Sequence, residues 1–437
     1  MKFKSIIMAF LWSSPILMLA QQQPIQLDDV VQTAIENNFN IKIAKNNIEV
    51  AATNATIGAA GFLPTIDFSG GYTYSNNNSK TTFSGNIPDQ NEPAAASHNF
   101  NANLNLRYTI FDGLKPVYQL KKSKVDVQLS NTQYQQQIET TIYNVIQAYY
   151  NLALLQEDYR IATEKLELTK IQLKRIETQR KYGQGSEVER LNLLTSYNSD
   201  STQLLRLKLN MRQAVRQLNK ALGTEEVADD AIVQVDTELD LSLNYETVKE
   251  AALKNNLMVI SAQQNIEKAN LDYQITKTEL FPKLNTTITY GYNGSRNDVG
   301  IVKTSDAFGP SVNLGLTYTI YGAGAVKRAK IQNRLNIKNQ ELNLELVQYD
   351  IEQSVKDAYS NHENNMALIP LEESNVVISK QSFDRITKAY NLGQASLLDY
   401  QRAELNYIQA QKQVITAKYN AKLSEWELRR LAGTIAK

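Results

Sequence analysis

The sequence predicts a mixed α/β membrane protein, mostly α. It pairs long antiparallel coiled-coil helices with four transmembrane β-strands per chain. Three observations carry that reading. The chain repeats itself, each repeat holds two strictly alternating strands, and each holds a 66-residue helical stretch, the first with no Pro or Gly after Pro116 and the second with Pro370 alone.

The repeat sets the frame. Ala34-Ile-Glu-Asn-Asn-Phe39 matches Ala252-Leu-Lys-Asn-Asn-Leu257 at an offset of 218, and Pro64, Tyr72 and Tyr74 fall on Pro282, Tyr290 and Tyr292. Tyr108-Thr-Ile-Phe111 matches Tyr318-Thr-Ile-Tyr321 at an offset of 210, which then holds for Gly183-Gln184 on Gly393-Gln394 and Gly223 on Gly433. The 8 residues by which the halves differ are lost between Tyr292 and Tyr318. The expected organisation is a first repeat over 21–223, a linker over 224–244 and a second repeat over 245–433. Each repeat reads helix, two strands, long helix, turn, helix. The β-hairpins are expected over 65–111 and 283–321, and the helical hairpins over 116–223 and 325–433.

Before the first repeat, Lys2 and Lys4 precede an apolar run from Ile6 to Ala20, and Gln21-Gln22-Gln23 follows. This reads as a secretory signal peptide over 1–20. No later segment is apolar for the ~18 residues a transmembrane helix needs. Any membrane contact therefore falls to the strands.

The strands alternate. Phe100, Ala102, Leu104, Leu106, Tyr108 and Ile110 interleave with Asn99, Asn101, Asn103, Asn105, Arg107 and Thr109. Ile66, Phe68, Tyr72 and Tyr74 do the same on Thr65–Ser75, and the second repeat follows suit. One face meets oil and the other water. At ~3.3 Å per residue and a tilt near 45°, about 11 residues cover roughly 26 Å, the height of an outer-membrane apolar band. The segments Asn76–His98 and Gly294–Gly309 read as external loops. Four strands cannot close a barrel, and an open edge is not tolerated in lipid. Several chains must share one, giving 8, 12 or 16 strands for two, three or four copies.

The helices come next. Pro116 suits a first helical turn, and residues 116–181 would run roughly 100 Å at 1.5 Å per residue. Ile138, Val145, Leu152, Tyr159, Leu166 and Leu173 recur every seven residues, with Thr141, Ala148, Leu155, Ala162, Thr169 and Ile176 three further on. That is a coiled-coil seam. In the second helix Val355, Ile369, Val376 and Phe383 fit such a seam and His362 does not. Tyr182-Gly-Gln-Gly-Ser186 and Leu392-Gly-Gln-Ala-Ser396 turn the two hairpins at one tip.

Composition narrows the chemistry. The chain of 437 residues has no Cys and two His, and 46 basic against 45 acidic residues leave a net +1. Thiol catalysis, Cys-ligated zinc and a lipidated N-terminal cysteine are excluded, and a basic nucleic-acid face is not expected. No Gly-x-Ser-x-Gly, P-loop or His-Glu-x-x-His is present. No enzymatic activity, metal or cofactor is expected.

Taken in order, the duplication, the strand pairs after Phe62-Leu-Pro64 and Leu280-Phe-Pro282, the two Tyr-Thr-Ile motifs and the Gly-containing turns resemble the TolC-like outer membrane efflux protein family, over essentially the whole mature chain. The resemblance implies a homotrimer in which a 12-stranded barrel crosses the outer membrane and continues as a helical α-barrel through the periplasm. It implies a passive exit channel of a tripartite system. An inner-membrane transporter supplies substrate through a periplasmic adaptor, a membrane fusion protein, and outer membrane lipid surrounds the barrel. It implies adaptor docking at Tyr182, Gly183, Gln184, Ser186, Leu392, Gly393, Gln394 and Ser396. It also implies a periplasmic gate of Glu189 and Asp399, with Tyr390 bonded to Glu189. In a trimer these acids form a ring of six carboxylates whose crowding raises some pKa values. Ala395 stands where the family's best-known member has a second, arginine-based link, and Arg402 where that member has its second ring aspartate. Pro370 has no proline counterpart in the first repeat, where Arg160 stands, and is a candidate hinge. Two other readings remain open: a type I protein-secretion conduit, and a non-channel secreted coiled-coil structural protein.

Overall fold

The computed structural model describes residues 24–85, 88–235, 238–240, 242–300 and 302–436. The expected signal segment 1–20 lies outside them. The chain forms α1 (Leu27–Asn37), α2 (Phe39–Asn54), β1 (Thr65–Thr81), β2 (Gln90–Phe111), α3 (Lys115–Lys181) and α4 (Glu187–Leu222). It then repeats the order as α5 (Tyr245–Asn255), α6 (Leu257–Thr278), β3 (Lys283–Asn297), β4 (Thr304–Thr317), α7 (Ala325–Asn391) and α8 (Leu397–Leu431).

The single leading helix expected in each repeat is two helices. The break falls on the repeated Asn-Asn pair. Asn38 and Asn256 both sit in extended backbone, at φ −60°, ψ 127° and φ −63°, ψ 127°. Asn256 Oδ1 accepts from Met258 N at 2.9 Å and so caps α6. Its Nδ2 donates to Leu431 O at 3.1 Å, while Asn38 Nδ2 donates to Ala221 O at 2.7 Å. Each asparagine thus holds the last turn of the helix that ends its repeat. Gly223 and Gly433 close those helices at φ 78° and 67°, where a Cβ would lie 2.8 Å from Asn37 O and 2.9 Å from Asn255 O. Only glycine accommodates both the left-handed backbone and the close approach.

The described chain packs as two compact units, each drawn from both repeats. Among the described residues, the first is drawn from 24–38, 141–240 and 361–425, and the second from 39–140, 242–360 and 426–436. In the second, Val248, Ala252, Val259, Ile351, Val355, Ala358, Leu428 and Leu431 form a buried core. This unit also carries the sheet, an antiparallel meander in the order β1-β2-β3-β4. Its register places Ile66, Leu106, Ile288 and Val312 in one row, and Phe68, Leu104, Tyr290 and Pro310 in another. These side chains cover one face and face solvent, with Phe68 73% and Val312 65% exposed. The other face is a hydrogen-bonded polar layer. Asn105 donates to Ser69 Oγ at 3.0 Å and accepts from Thr289 Oγ1 at 3.0 Å, and Thr109 Oγ1 donates to Asn285 Oδ1 at 3.0 Å. The outer edges of β1 and β4 have no strand partner among the described residues.

The strands differ from expectation at both ends. Most of the predicted loop Asn76–His98 is paired strand, and Gly294–Gly309 likewise continues to Asn297 and resumes at Thr304. Past Ser75 both faces of the first hairpin are polar or small, so apolar alternation stops while backbone pairing goes on. The ladder skips at Asn78, whose Oδ1 accepts Ala94 N at 3.0 Å, because Pro93 has no N–H to give and Ala94 lies at φ 62°. Conversely, β4 stops at Thr317 and not at Tyr321. Thr317 pairs with Lys283, the first residue of β3, and Pro282 before it cannot extend the ladder.

Among the described residues no helix is long and apolar enough to cross a membrane. All twelve seam positions of α3 are buried or half-buried. His362 of α7 is buried as well, and its Nδ1 lies 2.9 Å from Ser424 Oγ. Ser424 Oγ gives its own proton to Ala421 O, so the histidine donates. Burial pushes the His362 pKa down. It fills a seam position as a neutral, hydrogen-bonded ring.

Candidate functional site: the hairpin tips

Both helical turns lie in the first unit. The long helices end alike. Gly183 N donates to Arg180 O at 2.9 Å and Gln184 N to Gln179 O at 3.0 Å. Gly393 N donates to Tyr390 O at 3.1 Å and Gln394 N to Ala389 O at 2.8 Å. These are paired C-terminal caps that need a left-handed residue, and Gly183 and Gly393 supply it at φ 77° and 74°. A Cβ at either glycine would meet nothing within 4 Å, so the demand for glycine comes from the backbone alone. Beside them Tyr182 and Leu392 are largely exposed, as are Val188 and Leu398 on the following helices.

Ser186 and Ser396 start the return helices. Ser186 Oγ accepts from Glu189 N at a long 3.5 Å. Ser396 forms a reciprocal box: its Oγ accepts from Asp399 N at 3.2 Å, and Asp399 Oδ2 accepts from Ser396 N at 3.1 Å and from Ser396 Oγ at 2.6 Å. These bonds, and more weakly Arg402, hold the Asp399 carboxyl below its usual range. In the single chain the shift at Asp399 is therefore opposite to the rise expected for a crowded acid ring.

The two hairpins meet at Tyr390 and Glu189. The Tyr390 hydroxyl donates to Glu189 Oε1 at 2.5 Å. Burial first, and the Glu189 carboxylate second, push the phenol pKa up. Tyr390 belongs to an aromatic cluster. Its ring centroid lies 5.2 Å from Tyr400, which lies 5.5 Å from Phe383, which stacks on Tyr407 at 5.8 Å.

Arg175 of α3 was not singled out in the sequence. Its Nη2 donates to Asn391 O at 2.8 Å and to Tyr390 O at 3.3 Å, Nη1 donates to Asn391 Oδ1, and the guanidinium lies 4.9 Å from the Tyr390 ring centroid. A cation on the last carbonyls of α7 also suits the negative end of the helix. In sequence Arg175 looks like any other helix-surface arginine, because its partners lie 215 and 216 positions away. Pro370 sits exposed within α7, and the helix runs through it without interruption. Among the described residues no group of three or more His, Asp or Glu is placed to hold a metal ion.

The comparisons agree with this architecture. Outer membrane protein TolC of Escherichia coli (strain K12) is 23% identical over 418 residues, covering 94% of this chain and 82% of that protein. The crystal structure of the Campylobacter jejuni CmeC outer membrane channel superposes with a TM-score of 0.77 at 20% identity, over 94% of this chain and 86% of that one. The open state of the Neisseria gonorrhoeae MtrE outer membrane channel gives a TM-score of 0.71 at 17% identity, over 94% and 89%. These chains share the fold of long helices with a β domain. A family model described as "Outer membrane efflux protein" matches residues 30–224 and 248–434. The chain belongs to the outer membrane efflux protein family, a non-enzymatic family of the Gram-negative outer membrane.

Proposed function

We propose that three copies of this chain form the exit channel of a tripartite efflux system, passively conducting substrate from an inner-membrane pump to the exterior. One observation carries the reading. The sheet has a continuous exposed apolar face, a hydrogen-bonded polar face and two free edges. In lipid those edges must pair. Joining β4 of one copy to β1 of the next satisfies them, and three copies give the 12 strands that the family resemblance favours. The polar Asn, Ser and Thr layer then lines a wet lumen that lowers the barrier to solutes without choosing among them. Specificity and energy come from the pump.

The tips carry the remaining roles. Gly183, Gln184, Gly393 and Gln394, with Tyr182, Ser186, Leu392 and Ser396, form the surface on which a periplasmic adaptor docks, and the exposed Tyr182 and Leu392 supply apolar anchors. The bond from Tyr390 to Glu189 holds the entrance closed, and Asp399 adds a second fixed negative charge per chain. Pro370 makes α7 the bending helix. The repeats over 21–223 and 245–433 are the evolutionary units, preceded by a signal peptide over 1–20.

Cell fractionation followed by detergent extraction and crosslinking tests this. A heat-modifiable trimer in the outer membrane fraction is expected. A soluble monomer in the periplasm would instead support the structural-protein reading.

A further inference from the structure

Within the first two turns or so of α8, the tip-bearing unit buries a polar cluster that the proposed gate does not use. Glu404 is 5% exposed, Gln172 of α3 is 5% and Tyr400 is 2%. One oxygen of each lacks a hydrogen-bond partner: Glu404 Oε1, Gln172 Oε1 and the Tyr400 hydroxyl. The Tyr400 hydroxyl faces both Gln172 and Glu404 without normal bonding geometry to either. Buried polar oxygens are almost always paired, so three orphans on adjoining side chains mark an unusual place.

The charges around Glu404 are few. Lys165 of α3 is the cation that acts on Glu404, and it is committed elsewhere: its Nζ lies 2.5 Å from Asp200 Oδ1 of α4. Asp200 Oδ2 also accepts from Thr169 Oγ1 at 2.8 Å. From α7 the cluster receives Phe383, which brings no charge, and the Tyr390 phenol, whose pKa is pushed up. An ionised Glu404 would thus be a second buried negative charge beside Asp200, with one lysine for both. Protonated, it cancels that charge and gains a donor for Tyr400 or Gln172. Burial first, outweighing the opposing pull of Lys165, and then Asp200 push the Glu404 carboxyl up to about 7.

We propose that Glu404 is a proton-binding site that fastens α8 to α3 and α4 when neutral and loosens it when ionised. The sign follows from linkage. The packed hairpin keeps its proton up to near neutrality, while a loosened, hydrated carboxyl ionises at its ordinary value near 4.5. Packing therefore weakens as pH rises from about 5 to about 7 and levels off above that. The effect on the tip rests on the gate reading. Tyr400 lies against Tyr390 at 5.2 Å, so loosening α8 frees the ring that bonds Glu189.

Hydrogen exchange on the intact protein tests the site, with rates corrected for the intrinsic pH dependence. In the wild type, protection of residues 397–410 should fall by up to about tenfold per pH unit between pH 5 and 7, then level. In Glu404→Gln, whose amide mimics the neutral acid, it should stay flat. In Asp200→Asn, which removes the neighbouring charge, levelling should come at lower pH. A flat wild-type curve, or equal falls in wild type and Glu404→Gln, overturns the proposal. Bilayer conductance tests the link to the tip. It should rise over the same interval in the wild type and not in Glu404→Gln. Titrating protection with unchanged conductance overturns that link. The gate reading fails separately if Tyr390→Phe leaves conductance unaltered at fixed pH.

Discussion

Tyr390, the penultimate residue of α7, donates its phenolic proton to Glu189 in the first turn of α4, at 2.5 Å and across 201 positions of sequence. The bond ties the two hairpins where both turn. Its removal bears directly on the proposed gate. A hydrogen bond to a carboxylate, partly solvated here, contributes about 1 kcal/mol net. Tyr390→Phe should then shift each chain about fivefold toward the open state, which single-channel recording reads as higher open probability. Because Tyr390 is also buried among Tyr400 and Phe383, Phe preserves the packing that Ala would destroy.

Arg175 should prove the second link. It grips the last carbonyls of α7 with a planar fork and covers the Tyr390 ring. Arg175→Ala removes the three hydrogen bonds and the ring contact, and should raise conductance further than Tyr390→Phe alone. Arg175→Lys keeps the charge but not the fork, so it should restore little. Full restoration by lysine would show that charge alone matters.

At Asp399 the direction of the pKa shift gives a pH prediction. The Ser396 box lowers the carboxyl, so its stabilisation of the second tip is present above the ordinary Asp value and is lost as pH falls through the lowered one. Ser396→Ala should bring Asp399 back toward its ordinary value in an NMR titration. It should also increase amide exchange in the first turn of α8.

The two sheet faces should respond oppositely to charge. Leu104→Arg sits mid-strand on the apolar face and should cost about 2–4 kcal/mol in refolding from denaturant into lipid. Asn103→Arg, one residue away on the polar face, should refold with much smaller loss and instead reduce cation conductance.

Much of the fold was legible because it rests on periodicity. Period two along Phe100–Ile110 and period seven along Ile138–Ile176 are local signals. The seam of α3 and the single apolar face of the sheet follow from them. Strand ends were less legible. Pairing past Ser75 depends on the partner strand and not on alternation, and β4 stops where β3 runs out. The break at Asn38 and Asn256 could have been read: a repeated Asn-Asn pair ahead of an apolar residue is a capping signal. Arg175 and Glu404 left no such trace. Their partners come from other helices, and a buried glutamate within Arg402-Ala-Glu-Leu405 has the same sequence appearance as a solvated one.

The central claim is that free edges of neighbouring sheets close on each other three times. The chain has no cysteine, so introduced pairs report cleanly. One cysteine would scan the polar positions of β1, at Asp67, Ser69 and Thr73, and the other those of β4, at Ser305, Ser311 and Asn313. In outer membranes under oxidation, a set of pairs should give disulfide-linked dimers and trimers and nothing larger. Only uncrosslinked monomer across the scan, or a ladder extending past the trimer, would contradict it.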